Sequence, residues 1–307
     1  VAVQHFFENW QQHLAEMSQQ ILAGSLELGR FREFEVRDPK PRTIHAPHFA
    51  ERVFHHALMA HVGPVLERQL GDHTFACRVG KGAHAAVRQA RALGRRFGWF
   101  GQLDLRGYFA SIPHARLLQL LARCIKGRAV LALLERAVAT FSVALPGEPG
   151  RGLPIGTLPS QHLANFYLAS ADRFLLERAR VGGMVRYMDD FTWWGHTRHD
   201  VKAALVGVRA QLHEDLQLQC HRERLAPVSQ GVALLGFRLR GQLLLPSRRR
   251  LRRYRAARAL IERQWEQGAL STTALQWRHD CAAAILAHTQ SEHVRRRHLA
   301  ARPPVDA

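Results

Sequence analysis

An α+β fold is what the sequence predicts, and three observations predict it. The stretch Val185 to Trp194, led in by Met184, reads as two short strands joined through Asp189-Asp190, because Val185, Tyr187, Phe191, Trp193 and Trp194 place β-branched and aromatic residues on both sides of an acidic turn. The run Trp99-Phe100-Gly101-Gln102-Leu103-Asp104-Leu105 reads as a buried strand whose end presents Asp104. Around these strands lie stretches with apolar residues three and four positions apart, the spacing of amphipathic helices.

The elements follow in order. Phe7, Trp10, Leu14, Met17 and Ile21 predict a helix over about 4–22, ended by Gly24 and Gly29. Residues 31–46 read as a hairpin with a turn at Asp38-Pro39-Lys40-Pro41 and cations at its tip. Phe49, Val53, Leu58, Val62 and Leu66 mark a long helix stopping before Gly71. Residues 75–78 read as a short strand, and Gly80-Lys81-Gly82 as a loop opening a helix over about 83–93. After the Asp104 strand, Leu117, Leu118 and Leu121 predict a helix. A Gly/Pro-rich connection at 147–156 then feeds a helix from near Ser160. Beyond the Asp-Asp hairpin, Val201, Leu205, Val208 and Leu212 give another helix, and Val232 to Leu239 a strand. The last 67 residues read as helical and basic: Arg248, Arg249, Arg250, Arg252, Arg253 and Arg255 share a helix with Leu251, Tyr254 and Ile261, so it can dock and still present cations.

Charge narrows the function. Lysine and arginine number 44 against 25 acidic residues, a net charge of +19, in a chain whose 47% apolar content is ordinary. That surplus points to a polyanionic partner such as nucleic acid. A membrane is not expected, since no apolar run reaches the roughly 18 residues a spanning helix needs. Cys77, Cys124, Cys220 and Cys281 lack paired spacing and read as reduced, partly buried thiols. The opening Val-Ala-Val-Gln-His has no leader pattern, so a cytoplasmic protein is expected. His48, His55, His56 and His61 lie on one helix without a zinc spacing. Gly80-Lys81-Gly82 lacks the spacing of a P-loop.

A strand-borne Asp and a distant Asp pair suit phosphoryl transfer. Hard divalent cations take oxygen ligands and are held by one or two carboxylates plus substrate phosphates. Two such ions about 4 Å apart would stabilise the attacking and leaving oxygens of an in-line displacement.

On these residues the chain resembles the reverse transcriptases across nearly its whole length. Lys40-Pro41-Arg42-Thr43-Ile44 with Glu51-Arg52-Val53, and then residues 76–84, resemble fingers segments. Leu103 to Ile112 is similar to the first catalytic motif. Residues 152–161 with Asn165 resemble the template- and nucleotide-contacting block, Tyr187-Met188-Asp189-Asp190 the catalytic hairpin, and Leu234-Leu235-Gly236-Phe237 the primer-grip strand. The resemblance implies a right-hand polymerase: N-terminal helix and fingers at 1–98, an antiparallel-sheet palm at 99–240, and a short helical thumb at 241–307. It implies Asp104, Asp189 and Asp190 as catalytic carboxylates, which with Leu105 hold two Mg2+ ions, or Mn2+ in their place. Lys40, Arg42, Arg52, Phe109, Ile155 and Gly156 would face the incoming dNTP, with Phe109 excluding a 2′-OH. Ser160, Gln161, Tyr187, Met188, Arg248, Arg249 and Arg252 would contact template RNA and the cDNA primer.

Within the family, most bacterial members read Gln-Gly, three residues, then Ser-Pro. This chain reads Ile155-Gly156, three residues, then Ser160-Gln161, which resembles the reverse transcriptases of diversity-generating retroelements. These copy a template RNA inaccurately at adenines, and the likeness implies a bacterial or phage-encoded enzyme with a small basic helical accessory protein. The alternatives are another bacterial reverse transcriptase, defence-associated or intron-derived, and a non-catalytic RNA-binding scaffold; the intact Asp104, Phe109, Asp189 and Asp190 argue against the scaffold. The lysine that members often carry after the catalytic hairpin is missing, with only His221, Arg222 and Arg224 nearby.

Overall fold

Helical spacing opens the chain as expected, but a break at Asn9 divides it into α1 (Ala2–Glu8) and α2 (Trp10–Leu22). The structure, a computed structural model, describes residues 2–37, 41–141 and 150–301. Strands β1 (Phe31–Arg37) and β2 (Pro41–Pro47) pair antiparallel with Phe34 opposite Ile44. Lys40 and the rest of the expected turn before Pro41, like the first residues of the Gly/Pro-rich connection, lie outside the described residues. Helix α3 (Phe49–Glu67) buries Phe54, Leu58, Val62 and Leu66.

The strand expected at 75–78 does not form. Arg78 reaches back to Glu67 and to the carbonyls of Gly71 and Thr74, which folds the segment into a turn with Cys77 at φ +52°. Just before it, Thr74 makes an isolated β-bridge with Arg186. Helix α4 (Ala83–Arg96) then buries Ala86, Val87, Ala90 and Leu93.

The central sheet starts with β3 (Trp99–Leu105). The chain next runs through α5 (Tyr108–Ser111), α6 (His114–Cys124), α7 (Arg128–Ala139), α8 (Leu158–Tyr167), α9 (Ala169–Arg173) and a π-helical turn at Phe174–Arg178. It returns as β4 (Gly183–Tyr187) and β5 (Asp190–Gly195), crosses α10 (Arg198–Glu214), and closes with β6 (Cys220–Pro227). The order is β4-β5-β3-β6, and every pairing is antiparallel.

Alternation divides this sheet between two cores. Leu103, Leu105, Phe191 and Trp193 face one way, into the cluster with Leu117, Leu163, Val201 and Val208. Phe100, Trp194 and Ala226 face the other way, against α4. Gly101 is required by this packing: a Cβ there would lie 2.3 Å from the Trp193 ring.

The single strand expected over 232–239 is instead a hairpin. Leu235 and Gly236 both have positive φ and turn β7 (Val232–Leu234) back as β8 (Phe237–Arg240), which β9 (Leu243–Pro246) extends. In one straight strand Val232 and Leu234 would face away from Phe237 and Leu239, because side chains alternate. The two-residue turn pairs Val232 with Leu239 and Leu234 with Phe237, so all four enter the Phe100 cluster.

Helices α11 (Arg248–Glu266), α12 (Thr272–Ala284) and α13 (Glu292–Ala301) end the fold. Tyr254 and Ile261 pack with Ala282 and Leu286, over a buried Arg258–Glu262 pair. All four cysteines are free, but Cys77 and Cys281 are exposed rather than partly buried. Among the described residues no helix is long and apolar enough to cross a membrane.

Candidate catalytic site

The β4–β5 hairpin closes on the pair Tyr187–Asp190, leaving Met188 and Asp189 as its two-residue turn. Asp190 is therefore the first residue of β5 rather than part of the turn. Met188 has φ +54°, a conformation favoured by glycine and costing other residues about 1–2 kcal/mol. The neighbouring Arg186 is wholly buried and forms a bidentate pair with Asp172, its Nε 2.7 Å from one carboxylate oxygen.

Register brings Asp104 to this hairpin. Leu103 pairs with Phe191, so the next residue of β3 comes alongside the first of β5. The acids perturb one another. Desolvation, then the charges of Asp189 and Asp104, push the Asp190 carboxyl up to about 6, with Arg42 opposing. Burial and the Asp104 charge likewise raise Asp189, against Arg42 and Arg186. Arg42, exposed on β2, lies near enough for its charge to act on both hairpin carboxylates. Among the described residues no three side chains stand together as a ready-made metal cage. The donor set nonetheless fits a hard divalent cation: it is made of carboxylate oxygens whose mutual repulsion a positive charge would relieve. Leu105 buries its side chain, so only its backbone can face the site.

A β-bulge lies beside Asp104. Asp104 pairs with Arg222 while Leu105 pairs with Cys220, so His221 is the extra residue on β6. Such bulges re-aim neighbouring side chains, often next to active sites. Asp104, Asp190, Gln102, Thr192, Arg222 and Arg224 line an open groove of about 670 Å³, walled on one side by Ala233, Leu234 and Leu235.

The other expected residues separate into groups. Ile155 is half-buried, and its carbonyl accepts a bond from the His45 amide at 2.7 Å, which ties the 155–157 loop to β2. Gly156 makes that approach possible: its φ is +121°, and a Cβ would lie 2.9 Å from the His45 carbonyl oxygen. Phe109 is half-buried, edge-on to Tyr108, and its carbonyl accepts from the Leu153 amide. Ser160 is buried, its hydroxyl 2.6 Å from that of Thr157 at the start of α8, whereas Gln161 and Tyr187 are half-buried. Arg52 lies over the Phe49 ring. Arg248, Arg249 and Arg252 are exposed on α11, but Arg250 turns inward, 3.9 Å from the centre of the Phe237 ring.

Sequence reasoning missed Arg186, Asp172 and Thr74. Their partners are 14 and 112 residues away from Arg186, so no local pattern announces them. Arg222 was visible as a nearby cation, but its place opposite Asp104 depends on the strand register.

Comparisons with known proteins agree with this geometry. The sequence pattern of a family described as reverse transcriptase (RNA-dependent DNA polymerase) matches residues 37–239. Protein YkfC of Escherichia coli is 24% identical over 315 residues, covering 87% of this chain and 81% of YkfC. The group II intron-encoded protein LtrA of Lactococcus lactis is 26% identical over 143 residues; the match covers 45% of this chain and 23% of LtrA, so the chain spans less than a quarter of that relative. A telomerase from Candida tropicalis, solved with a fragment of telomeric RNA, superposes with a TM-score of 0.57 at 8% identity over 97% of this chain and 59% of that one. The shared fold is the right-hand polymerase, with its antiparallel sheet and surrounding helices.

Proposed function

The chain belongs to the reverse transcriptase (RNA-dependent DNA polymerase) family, and from that premise we propose that it extends a DNA primer on a template RNA with dNTPs at the Asp104–Asp189–Asp190 site. The observation that carries this reading is the strand register that sets Asp104 beside the hairpin acids. Asp104, Asp189 and Asp190, with the Leu105 backbone, would hold divalent ions, Mg2+ or Mn2+. Such ions, when bound, stabilise charge on the attacking and leaving oxygens. Arg42 would bind the triphosphate of the incoming nucleotide, and Lys40 and Arg52 are proposed to assist it. Phe109 would exclude the 2′-OH by bulk, and the exposed arginines of α11 would hold nucleic-acid backbone by charge.

We further propose that copying is error-prone at template adenines, as in a diversity-generating retroelement. Ile155 supports this reading: an aliphatic side chain cannot hydrogen-bond a nucleotide, and apolar contacts discriminate by only about 1–3 kcal/mol. A small basic helical accessory protein would be a partner under it. A specific observation favours a second reading, an intron-type enzyme that copies accurately, since LtrA is named as group II intron-encoded. Extension of a primed RNA by the purified chain, followed by sequencing of the cDNA, tests all of this. Extension with errors concentrated opposite adenine supports the first reading, accurate cDNA the second, and no extension overturns both.

A further inference from the structure

We propose that Arg186 is a positioning residue that aims the catalytic turn by holding the Met188 carbonyl, an inference that rests on the polymerase reading of the site. Its guanidinium is fully buried and engaged on every side. Nε and one terminal nitrogen grip Asp172, at 2.7 Å and 2.7 Å. That same terminal nitrogen also donates to the Asn165 carbonyl at 3.0 Å and the Thr74 hydroxyl at 3.4 Å. The other terminal nitrogen donates to the Asn165 side-chain oxygen at 3.1 Å and to the Met188 carbonyl at 2.9 Å. Asn165 is itself fixed, donating to the Ala76 carbonyl at 2.6 Å. The Arg186 backbone is held too: its amide donates to the His73 carbonyl, and its carbonyl accepts from Phe75.

An ion pair alone would need only the two donors facing Asp172. Buried pairs of this kind rarely stabilise a fold more than apolar side chains of similar size, so stability does not account for the arginine. What the fork adds is direction. The Met188 carbonyl belongs to the peptide that carries Asp189, and it sits in a turn whose backbone conformation methionine disfavours. A planar guanidinium anchored at Asp172 and Asn165 presents its remaining N–H along one fixed line. Fixing that peptide fixes where the Asp189 carboxylate points. The hub also joins the 73–76 turn and α8 to the hairpin, so three segments distant in sequence set one catalytic group.

Arg186→Lys in the full chain separates aim from folding. Lysine keeps the cation beside Asp172 but cannot reach Asp172, Asn165 and Met188 at once. The expected result is a folded protein whose kcat for single-nucleotide addition falls about tenfold to a hundredfold, the scale of a small misplacement, with KM for dNTP within about twofold of the parent. Amide exchange over residues 187–191 should accelerate at least about tenfold while β3 and β6 keep their protection, a local effect that mere destabilisation would not produce. A folded variant with parental kcat and parental exchange at the turn overturns the proposal. If Arg186→Lys does not fold, Asn165→Ala, which leaves the Asp172 pair intact, is read by the same two criteria. If the parent itself fails to extend a primer, the polymerase reading falls, and exchange at the turn still decides whether Arg186 holds it.

Discussion

Asp104 and Arg222 stand directly opposite each other on β3 and β6, on the same face of the sheet. Antiparallel partners have Cβ atoms about 4.5–5.5 Å apart, so the arginine is a fixed neighbour of the proposed metal ligand and opens into the same groove. An arginine is a permanent cation, so a contribution of Arg222 to nucleotide addition would be electrostatic and not that of a general acid. Arg222→Gln should lower the rate of nucleotide addition by about tenfold, and Arg222→Lys should restore much of it. Single-turnover rates for the three proteins check this; a glutamine variant as fast as the parent would remove Arg222 from the reaction.

Replacing a carboxylate should separate catalysis from binding and stability. Asp189→Asn or Asp104→Asn should abolish primer extension while RNA affinity survives, because affinity comes mainly from phosphate contacts. The repulsion that raises Asp190 is relieved in both variants, so they should melt at or above the parental temperature. Primer extension, filter binding and a thermal melt on the same preparations give the answer, and full activity in either variant would sink the site.

Phe109 should act by bulk alone. Its ring is half-buried against Tyr108 and its carbonyl is fixed by Leu153, so the side chain has little freedom to yield to a 2′-OH. Phe109→Ala should accept ribonucleotides far better than the parent. Incorporation of one dNTP against one rNTP measures the ratio; identical ratios in the two proteins would clear Phe109 of this role.

Ile155 offers the fidelity test. Its backbone is already tied to His45, so a change of side chain leaves the loop in place. Ile155→Gln should reduce misincorporation opposite template adenine and leave extension on other bases largely intact. An unchanged adenine error rate in sequenced cDNA would separate fidelity from this side chain.

Two buried groups, His55 and Asp172, should lose their stabilising contributions in acid, in separate windows. Burial, with the His56 charge, holds His55 down to about 4 from 6.5, while the unfolded chain takes its proton first as pH falls. The His55 contribution therefore drops between pH 6.5 and 4, by up to roughly 3 kcal/mol, while Asp190, raised to about 6, opposes it below pH 6 because the folded chain takes that proton first. Burial alone would raise Asp172, but Arg186 and His73 outweigh it and hold the carboxyl below its usual value. That contribution is present above the unfolded value of 3.8 and is lost as pH falls through the folded value. Urea unfolding of the parent and His55→Leu at pH 7, 5.5 and 4.5 isolates the His55 contribution as the difference between their slopes; identical slopes would remove His55 from the acid response.

Much of the site was legible because its chemistry is local. Asp189 and Asp190 adjoin each other and Asp104 follows an apolar run, so alternation places them on strands, while their proposed role rests on the ordered blocks that resemble the reverse transcriptases. The strand at 75–78 and the straight strand at 232–239 were misread for one reason. Apolar spacing cannot reveal that Arg78 will fold back on Glu67, or that Leu235 and Gly236 will accept positive φ so that four side chains share one core.

The sequence by itself determined the basic character of the chain and the antiparallel hairpin at the centre, and it singled out Asp104, Asp189 and Asp190 as candidate metal ligands, since each depends on residue type and short spacing. Tertiary structure alone decided what surrounds them. The place of Arg222 opposite Asp104 depends on a bulge at His221, and the approach of Ile155 to β2 depends on the missing Cβ of Gly156. The orientation of the Met188–Asp189 peptide depends on an arginine whose partners come from residues 74, 165 and 172. Side-chain periodicity records which face a residue takes, but not which distant residue meets it there, and that meeting is settled only when the packed cores fix the strand register.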